Sequence, residues 1–373
     1  MRSKLSLLAA SAALTLAAHA AVDLGNGVQV VPNVIGSVEA NDNLFLAADD
    51  TVDETIWRLS PGIRFVMGEG ALNSAQFSYN EEFQFYSDNS DLDTSLSLVD
   101  FSTNYDDGKM KIAIDAWFHE ANQATRDTPT IAGLVKRTLI HGGISDEVQF
   151  SEKSAGKIGL VYDDTDYSRA GYTDWQWVEV PVQYFYEVQP KLDASVGFRY
   201  RQNNLDGPTG GFDSDELFYN VGVRGEITPK LTGEVQVGYL QFNPDAGNDE
   251  DSFGLKANLT FAVSPKTNLL LDANSQYGYS GIGQSYQDTG LTFSFNTAIS
   301  AAFSVNGNVF WHAYDYTTTT QQDDYYGGQI AGTYAFNEHA ELSASYAYAD
   351  NDSNLAFANF KQNKFVLSAT LKY

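Results

Sequence analysis

Apolar and polar side chains alternate in long segments along this chain. In the segment LTGEVQVGY, residues 231–239, the odd-numbered positions carry apolar residues or glycine and most even-numbered positions carry polar ones. The segments 192–201 and 253–263 repeat this pattern. Because successive side chains of a strand point to opposite faces, each segment is predicted to be a strand with one face for water and the other for lipid or a second sheet. The same period-two pattern predicts about eighteen strands in all.

The connections between these segments alternate between short and long. The short ones lie near residues 67, 106, 151, 189, 229, 264, 300 and 337, and three of them contain Pro-Lys. The others are longer and polar, as at 40–54 and 203–215. Membrane barrels alternate short periplasmic turns with longer extracellular loops, whereas a β-sandwich has no reason to sort its loops by length. The sequence therefore predicts an all-β fold, a transmembrane antiparallel up-and-down β-barrel of about 18 strands.

The N-terminus is typical of an exported protein. Arg2 and Lys4 precede a short apolar stretch and the small residues at 18–20, which predicts a signal peptide over residues 1–20. A membrane anchor is the alternative, but the sequence turns polar at Asp23. After the leader, no apolar run is long enough to cross a membrane as a helix. Residues 21–373 are therefore predicted to form one outer-membrane β-barrel.

The last ten residues, KFVLSATLKY, alternate in the same way and end on an aromatic residue. Phe365, Leu367, Leu371 and Tyr373 lie on one face and are predicted to be the β-signal that barrel-assembly machinery recognises. With an even strand number, the final strand returns to the periplasmic side. It is then expected to pair with the strand near residues 28–38 and close the barrel.

Two segments near the N-terminus carry a family resemblance. The sequence VVPNVIGSVEANDNLFL, residues 30–46, is followed by WRLSPGIRF, residues 57–65. Pro32, the step 41–43 and the motif at 59–62 resemble the opening of the putative beta-barrel porin 2 family of outer-membrane proteins. The resemblance implies an outer-membrane barrel of about this strand number. It also implies a link to exopolysaccharide export, because family members often accompany that machinery, and it supplies no catalytic residues.

Charged and amide side chains on the polar faces are predicted to line the lumen of the barrel. They carry both signs of charge, which predicts a mixed wall without strong selection for one ion sign. An alternative interpretation adds sugar contacts from Trp117, Trp177 and the lumen amides. The lumen-lining candidates are Arg58, Arg64, Glu82, Asp115, Arg137, Glu179, Gln183, Arg199, Arg201, Arg224, Glu234, Lys256 and Asp272.

Aromatic residues on the apolar faces are predicted to form the girdles at the two membrane surfaces. These residues are Trp57, Tyr79, Phe83, Phe85, Tyr184, Tyr186, Tyr239, Tyr277, Tyr279, Tyr346, Tyr348 and Tyr373. The third outer loop, about a dozen residues long, shows no feature of a long inward-folding segment. The sequence therefore favours a wide pore.

Composition excludes several classes of chemistry. The chain has no cysteine, which excludes disulfides and thiolate sites, and its net charge of −26 argues against nucleic acid as a partner. His119, His141, His312 and His339 lie outside any G-x-S-x-G motif, so no enzyme and no cofactor are predicted. Acid runs at 49–54 and 245–251 leave calcium binding open, but the EF-hand pattern is absent and a solvated acidic face is the simpler interpretation.

Three functions remain open from the sequence. The first is a pore for exopolysaccharide export that works with periplasmic polysaccharide-export proteins. The second is a general diffusion porin for small solutes, and the third is a structural or surface-interaction barrel with a blocked lumen. In each case the chain is expected to be integral to the outer membrane of a Gram-negative bacterium, in contact with its lipid and lipopolysaccharide.

Overall fold

The computed structural model describes residues 22–25, 27–68, 71–126, 133–207 and 212–372. Within these ranges, eighteen long antiparallel strands, each of 13 to 17 residues, form one sheet. The strands are β1 Val28–Asn41, β2 Glu54–Met67, β3 Asn73–Tyr86, β4 Thr94–Asp106, β5 Met110–Gln123, β6 Val135–Ser151, β7 Ser154–Tyr167, β8 Asp174–Gln189, β9 Leu192–Asp206, β10 Ser214–Thr228, β11 Leu231–Pro244, β12 Glu250–Ser264, β13 Thr267–Tyr279, β14 Ser285–Ala298, β15 Phe303–Tyr316, β16 Gln322–Ala335, β17 Ala340–Ser353 and β18 Phe360–Lys372. Two short 3-10 turns, Ser90–Leu92 and Ala356–Ala358, and a two-residue strand, Val22–Asp23, complete the secondary structure of these residues.

The sheet closes on itself. Each strand pairs with the next one along the chain, and β18 pairs with β1 in a register that sets Leu367 opposite Val38 and Leu371 opposite Val34. The predicted all-β barrel, its strand number and its closing pair of strands are confirmed. The proposed signal peptide and Tyr373 lie outside the described residues.

Tight turns join the strands at one end of the barrel. The three Pro-Lys pairs are two-residue hairpin turns, and in the first of them Lys191 adopts the left-handed backbone conformation, with φ 68°. In the turn after β4, the backbone N–H groups of Met110 and Lys109 donate to the carboxylate of Asp107 and hold its pKa below the usual range.

The opposite end, which we call the outer end, carries the longer connections. The longest are 42–53 and 124–134. Later in the chain the outer connections are shorter than the sequence indicates, and three of them span only 245–249, 280–284 and 317–321. The strands there continue through polar residues that resemble loop in the sequence, because both strands of each hairpin keep pairing beyond the apolar band.

The burial pattern is inverted relative to that of a soluble protein. Large apolar side chains on the outer face are exposed, such as Phe253 at 66% and Trp57 at 54%, whereas Glu216 on the inner face is completely buried. An apolar exterior around a polar interior is the arrangement of a barrel surrounded by lipid. No helix in the described ranges is long and apolar enough to cross a membrane.

Candidate functional site

A contact between two non-adjacent strands identifies the inner face of the barrel. Arg224 on β10 donates from both terminal nitrogens to the carboxylate of Glu147 on β6, at 2.7 and 2.8 Å. Three strands separate β6 from β10 along the sheet, so the two side chains meet only across the interior. Residues directly opposite in a sheet share a face. We therefore followed the pairs of opposite residues from strand to strand, starting at Arg224 and Glu147. This strand register places all thirteen candidate lumen residues on the inner face. Their role in passage stays a prediction.

Arginines on β9 and β10 form a fixed network with the carboxylates around them. Arg201 donates to Glu179 at 2.7 and 2.9 Å, and Arg199 donates to Glu216, which is fully buried. The guanidinium of Arg201 also lies 4.4 Å from the centre of the Trp177 ring. Paired and stacked guanidinium groups lose mobility. This part of the wall therefore presents ordered charges of both signs.

The inner face of β4–β7 carries an array of stacked rings. The Trp117 ring lies between His119 and His141, at centroid distances of 4.7 and 5.3 Å. His141 bridges two carboxylates, with ring nitrogens 2.7 Å from Asp115 and 2.9 Å from Asp163. The histidines thus serve as polar wall residues held by acids, and Asp115 is a member of this array.

A second charged cluster lies near the closing seam. Arg58 donates to Glu39 at 2.9 Å and lies 3.6 Å from Glu82, which in turn accepts from Gln84 at 2.7 Å. These groups, together with Lys364, border a cavity of about 190 Å³. Six predicted lumen residues lie outside both charge networks and the ring array, namely Arg64, Arg137, Gln183, Glu234, Lys256 and Asp272. Of these, Glu234 accepts from Gln236 at 2.6 Å and Asp272 accepts from Asn258.

Arg126, which sequence reasoning missed, crosses the outer end of the lumen. It follows β5, and its guanidinium donates to Asp323 on β16 and to Tyr316 at the end of β15, both at 3.2 Å. Its central carbon lies 3.4 Å from the centre of the Tyr314 ring. The arginine side chain is 8% exposed and that of Asp323 1%. The expectation that no outer connection folds inward is therefore wrong, because Arg126 holds residues 124–126 against the far wall.

The upper part of the β13–β14 hairpin also folds into the lumen. Pairing between β12 and β13 stops at Lys256 and Asn274, whereas β13 and β14 remain paired up to Tyr279 and Ser285. The freed segment reaches other walls, since the backbone N–H of Tyr277 donates to Glu216 at 2.9 Å. Beyond the strands, the N–H of Thr173 donates to the carbonyl of Gly281, also at 2.9 Å.

This hairpin corrects two of the predicted girdle residues. Tyr277 and Tyr279 are each 4% exposed and pack inside the barrel against Phe242 and Leu240. Tyr277 stacks on Phe242 with ring centroids 4.3 Å apart, and Tyr279 donates its hydroxyl to Ser214 at 2.6 Å. The two tyrosines occupy outward positions of the alternation, but bending of the hairpin turns that face onto the inner wall of β10 and β11.

The first outer connection is tied down by the sequence motif at 41–43. The side-chain amide of Asn43 donates to the carbonyls of Ala47 and Lys361, at 2.8 and 2.9 Å, while Gln362 donates back to the carbonyl of Asn43 at 2.8 Å. Leu44 is buried beside Ile56 on the inner side. The motif therefore holds the loop 42–53 over the lumen, against the last strand of the barrel.

Sequence comparison decides the family. A model of the family described as Putative beta-barrel porin 2 matches residues 30–373. The chain belongs to this family. As a member with a closed 18-stranded barrel, it is a porin-like barrel of the outer membrane. No curated protein sequence matches the chain.

Solved structures similar to this family member include three proteins from Pseudomonas aeruginosa. OpdK with vanillate is 11% identical, with 92% of this chain and 99% of that chain covered and a TM-score of 0.49. OpdQ is 10% identical, with 92% and 98% covered and a TM-score of 0.49. A mutant of the ferric enterobactin receptor PfeA is 9% identical, with 92% and 80% covered and a TM-score of 0.48.

In the acidic run at 49–54, the side chain of Glu54 has defined contacts with the rest of the barrel. Glu54 is 3% exposed, and its carboxylate accepts from the backbone N–H groups of Ser87, Asp88 and Asn89 at 2.9, 3.1 and 3.1 Å. It therefore caps the connection 87–93. In the described part of the chain, no group of three histidines or acids is arranged to hold a metal ion.

Proposed function

We propose that this chain is a porin for small solutes in the outer membrane of a Gram-negative bacterium, with passage restricted at the outer end. The single observation that carries the proposal is the position of Arg126, which is bound to the far wall of the lumen by Asp323, Tyr314 and Tyr316. The loop 42–53 and the β13–β14 hairpin narrow the same end. A small solute passes beside these segments, while a polymer needs them to move.

The family resemblance implies export of an exopolysaccharide. We place this function second, because a polymer could pass only if the segments at the outer end moved. A blocked barrel that acts through its surface is the third possibility. The proposed partners are outer-membrane lipid, lipopolysaccharide and the barrel-assembly machinery, with periplasmic polysaccharide-export proteins added only under the second function. Neither nucleic acid nor a catalysed reaction is part of the proposal.

Substitution of Arg126 tests the proposal. Breaking a buried ion pair costs about 3–5 kcal/mol, so Arg126→Ala should release residues 124–126 from the far wall. We expect purified wild-type protein to form channels in planar bilayers, and the variant to show higher single-channel conductance and to admit larger sugars in liposome swelling.

Two variants control this experiment. Arg126→Lys keeps the charge but loses the planar stacking on Tyr314, so an intermediate conductance is expected. Lys230→Ala removes a positive charge in a tight turn at the opposite end and should conduct as wild type does. Wild-type protein that is folded yet forms no channel would overturn the pore, and equal size limits for wild type and Arg126→Ala would overturn the restriction.

A further inference from the structure

A cavity of about 350 Å³ lies beside Arg126 at the outer end of the lumen. This volume is in the range of small-molecule pockets, about 300–1,000 Å³. Its wall combines side chains of β14, β15, β16 and β18 with the connection after β5 and with Leu46 of the first outer connection. Among the described residues that line the cavity there are two cations, Arg126 and Lys364, and no carboxylate. In a chain with a net charge of −26, a cavity wall of this kind is suited to an anion.

The two cations of the cavity differ in their partners. Arg126 is paired with Asp323 at 3.2 Å. Lys364 lines the cavity but forms no ion pair and no side-chain hydrogen bond within the part of the chain that the structure describes. The residue is half-buried, and its ammonium nitrogen keeps access to solvent. Lys364 is therefore the cation of this wall that is available to a ligand.

The strand register explains why Lys364 has no partner. It lies opposite Ala347 on β17 and Asn41 on β1, so neither of the residues directly opposite it is an acid. Glu39, two residues before Asn41 on the same face of β1, is bound to Arg58 at 2.9 Å. A half-buried ammonium group without a counter-charge has lost part of its hydration, and an anion in the cavity compensates that loss.

Aromatic rings form much of the remaining wall. The ring centroids of Tyr325 and Phe360 are 6.1 Å apart with planes tilted by 53°, and those of Tyr286 and Tyr314 are 5.2 Å apart in an edge-to-face arrangement. The lumen wall of a membrane barrel is ordinarily polar. Four rings around one unpaired ammonium group therefore indicate a ligand with a flat apolar body and a single negative charge.

We propose that this cavity binds a small aromatic monocarboxylate. The carboxylate pairs with the ammonium group of Lys364, and the aromatic ring packs against Tyr325 and Phe360. Arg126 stays bound to Asp323 and borders the cavity. The inference rests on the proposed function and deepens it, since it names the class of solute that the pore retains beside its restriction.

The test is fluorine NMR of para-fluorobenzoate with the folded full-length barrel in detergent, with empty micelles as the blank and unlabelled compounds as competitors. We expect the probe to bind and benzoate to displace it. Benzamide has the same ring without the charge, so it should compete more weakly by about tenfold or more, because a hydrogen bond between charged groups is lost. Cyclohexanecarboxylate keeps the charge without the flat ring and should compete about two- to tenfold more weakly.

Variants assign the contacts. Lys364→Met removes the charge but keeps a long side chain, and should weaken binding of the probe by about tenfold. Tyr325→Leu removes the ring and should weaken binding by about two- to tenfold, whereas Tyr325→Phe keeps the ring and should bind as wild type does. Lys256→Met, which removes a lumen lysine of β12 outside this cavity, is the matched control. If Lys364→Met does not reach the heat-modifiable mobility of a folded barrel, the benzamide competition on wild type still tests the charge.

Planar-bilayer current separates this site from the pore itself. Benzoate should interrupt the KCl current of wild type and not that of Lys364→Met. A barrel that conducts KCl but does not bind the probe overturns the site and leaves the pore intact. Binding of the probe by a barrel that never conducts overturns the pore and leaves the site. Equal competition by benzamide and benzoate, or unchanged binding by Lys364→Met, overturns the role of the lysine, and equal competition by cyclohexanecarboxylate overturns the aromatic class of the ligand.

Discussion

Glu54 and Asp53 are adjacent acids with different environments. Asp53 is exposed, whereas Glu54 is buried under the connection 87–93 and accepts three of its backbone N–H groups. The sequence shows only a run of acids there. Nothing in that run distinguishes the two side chains, because the burial of Glu54 comes from a loop that lies more than thirty residues away in the chain.

Removing the Glu54 carboxylate should destabilise the outer rim. Glu54→Ala leaves buried N–H groups without an acceptor, at a cost of about 1–3 kcal/mol for each group that water does not reach. We expect a lower midpoint for the heat-induced shift of the folded barrel on gels. Asp53→Ala is the matched control, since it removes a neighbouring acid without a buried contact, and an equal loss in both variants would contradict the capping role.

At the scale of elements, the alternation predicts strands well and their curvature poorly. The pattern of 267–279 continues unchanged through the point after Asn274 where β13 leaves β12. The residues that indicate the separation of β13 from β12 lie on other strands. Phe218, Leu240 and Phe242 are apolar residues at inward positions, where water-facing side chains are expected, and they form the surface that the hairpin covers. Likewise, only the position of Arg126 in space reveals its reach across the lumen.

Phe242 is the residue whose loss should release the hairpin. Phe242→Ala removes the ring stacked on Tyr277, and deletion of a buried phenylalanine side chain costs about 3–5 kcal/mol. We expect faster hydrogen exchange at the Thr173 amide, which donates to Gly281 at the hairpin tip, while the amides of β1 and β18 keep their protection. Phe253→Ala, on the lipid face of the next strand, is the control. Unchanged exchange at Thr173 would show that other contacts hold the hairpin.

For the whole molecule, the net charge of −26 does not describe the distribution of charge on the inner wall of the barrel. Many acids lie on the inner wall, where Arg199, Arg201 and Arg224 neutralise part of them in fixed pairs. The barrel thus keeps a polar interior and an apolar exterior while its outer end is narrowed by segments folded from three connections. The sequence predicts the polar interior and the apolar exterior because both follow from the period-two alternation. It does not predict the narrowed outer end, because inward folding of a connection leaves no periodic pattern in the sequence.

The closing seam between β18 and β1 allows a test of assembly that is independent of transport. Phe365 points to the lipid side, is 53% exposed, and lies opposite Ala40 on β1 and Tyr346 on β17. A charge on the lipid face of a barrel costs up to about 2–4 kcal/mol near the midplane and less for an acid. Phe365→Asp should therefore impair insertion before it affects passage, as should deletion of Tyr373.

The matched control for this seam is Ser368→Asp, which places the same charge on the lumen side of β18, opposite Ser37 on β1. Its carboxylate faces water, so its cost should be small. The measurement is the fraction of protein with the heat-modifiable mobility of a folded barrel in isolated outer membranes. A reduced fraction for Phe365→Asp with a normal fraction for Ser368→Asp is expected, because only the first charge meets lipid while the last strand closes on the first. Normal folding of both Phe365→Asp and the Tyr373 deletion would mean that the C-terminal strand is not the signal on which insertion depends.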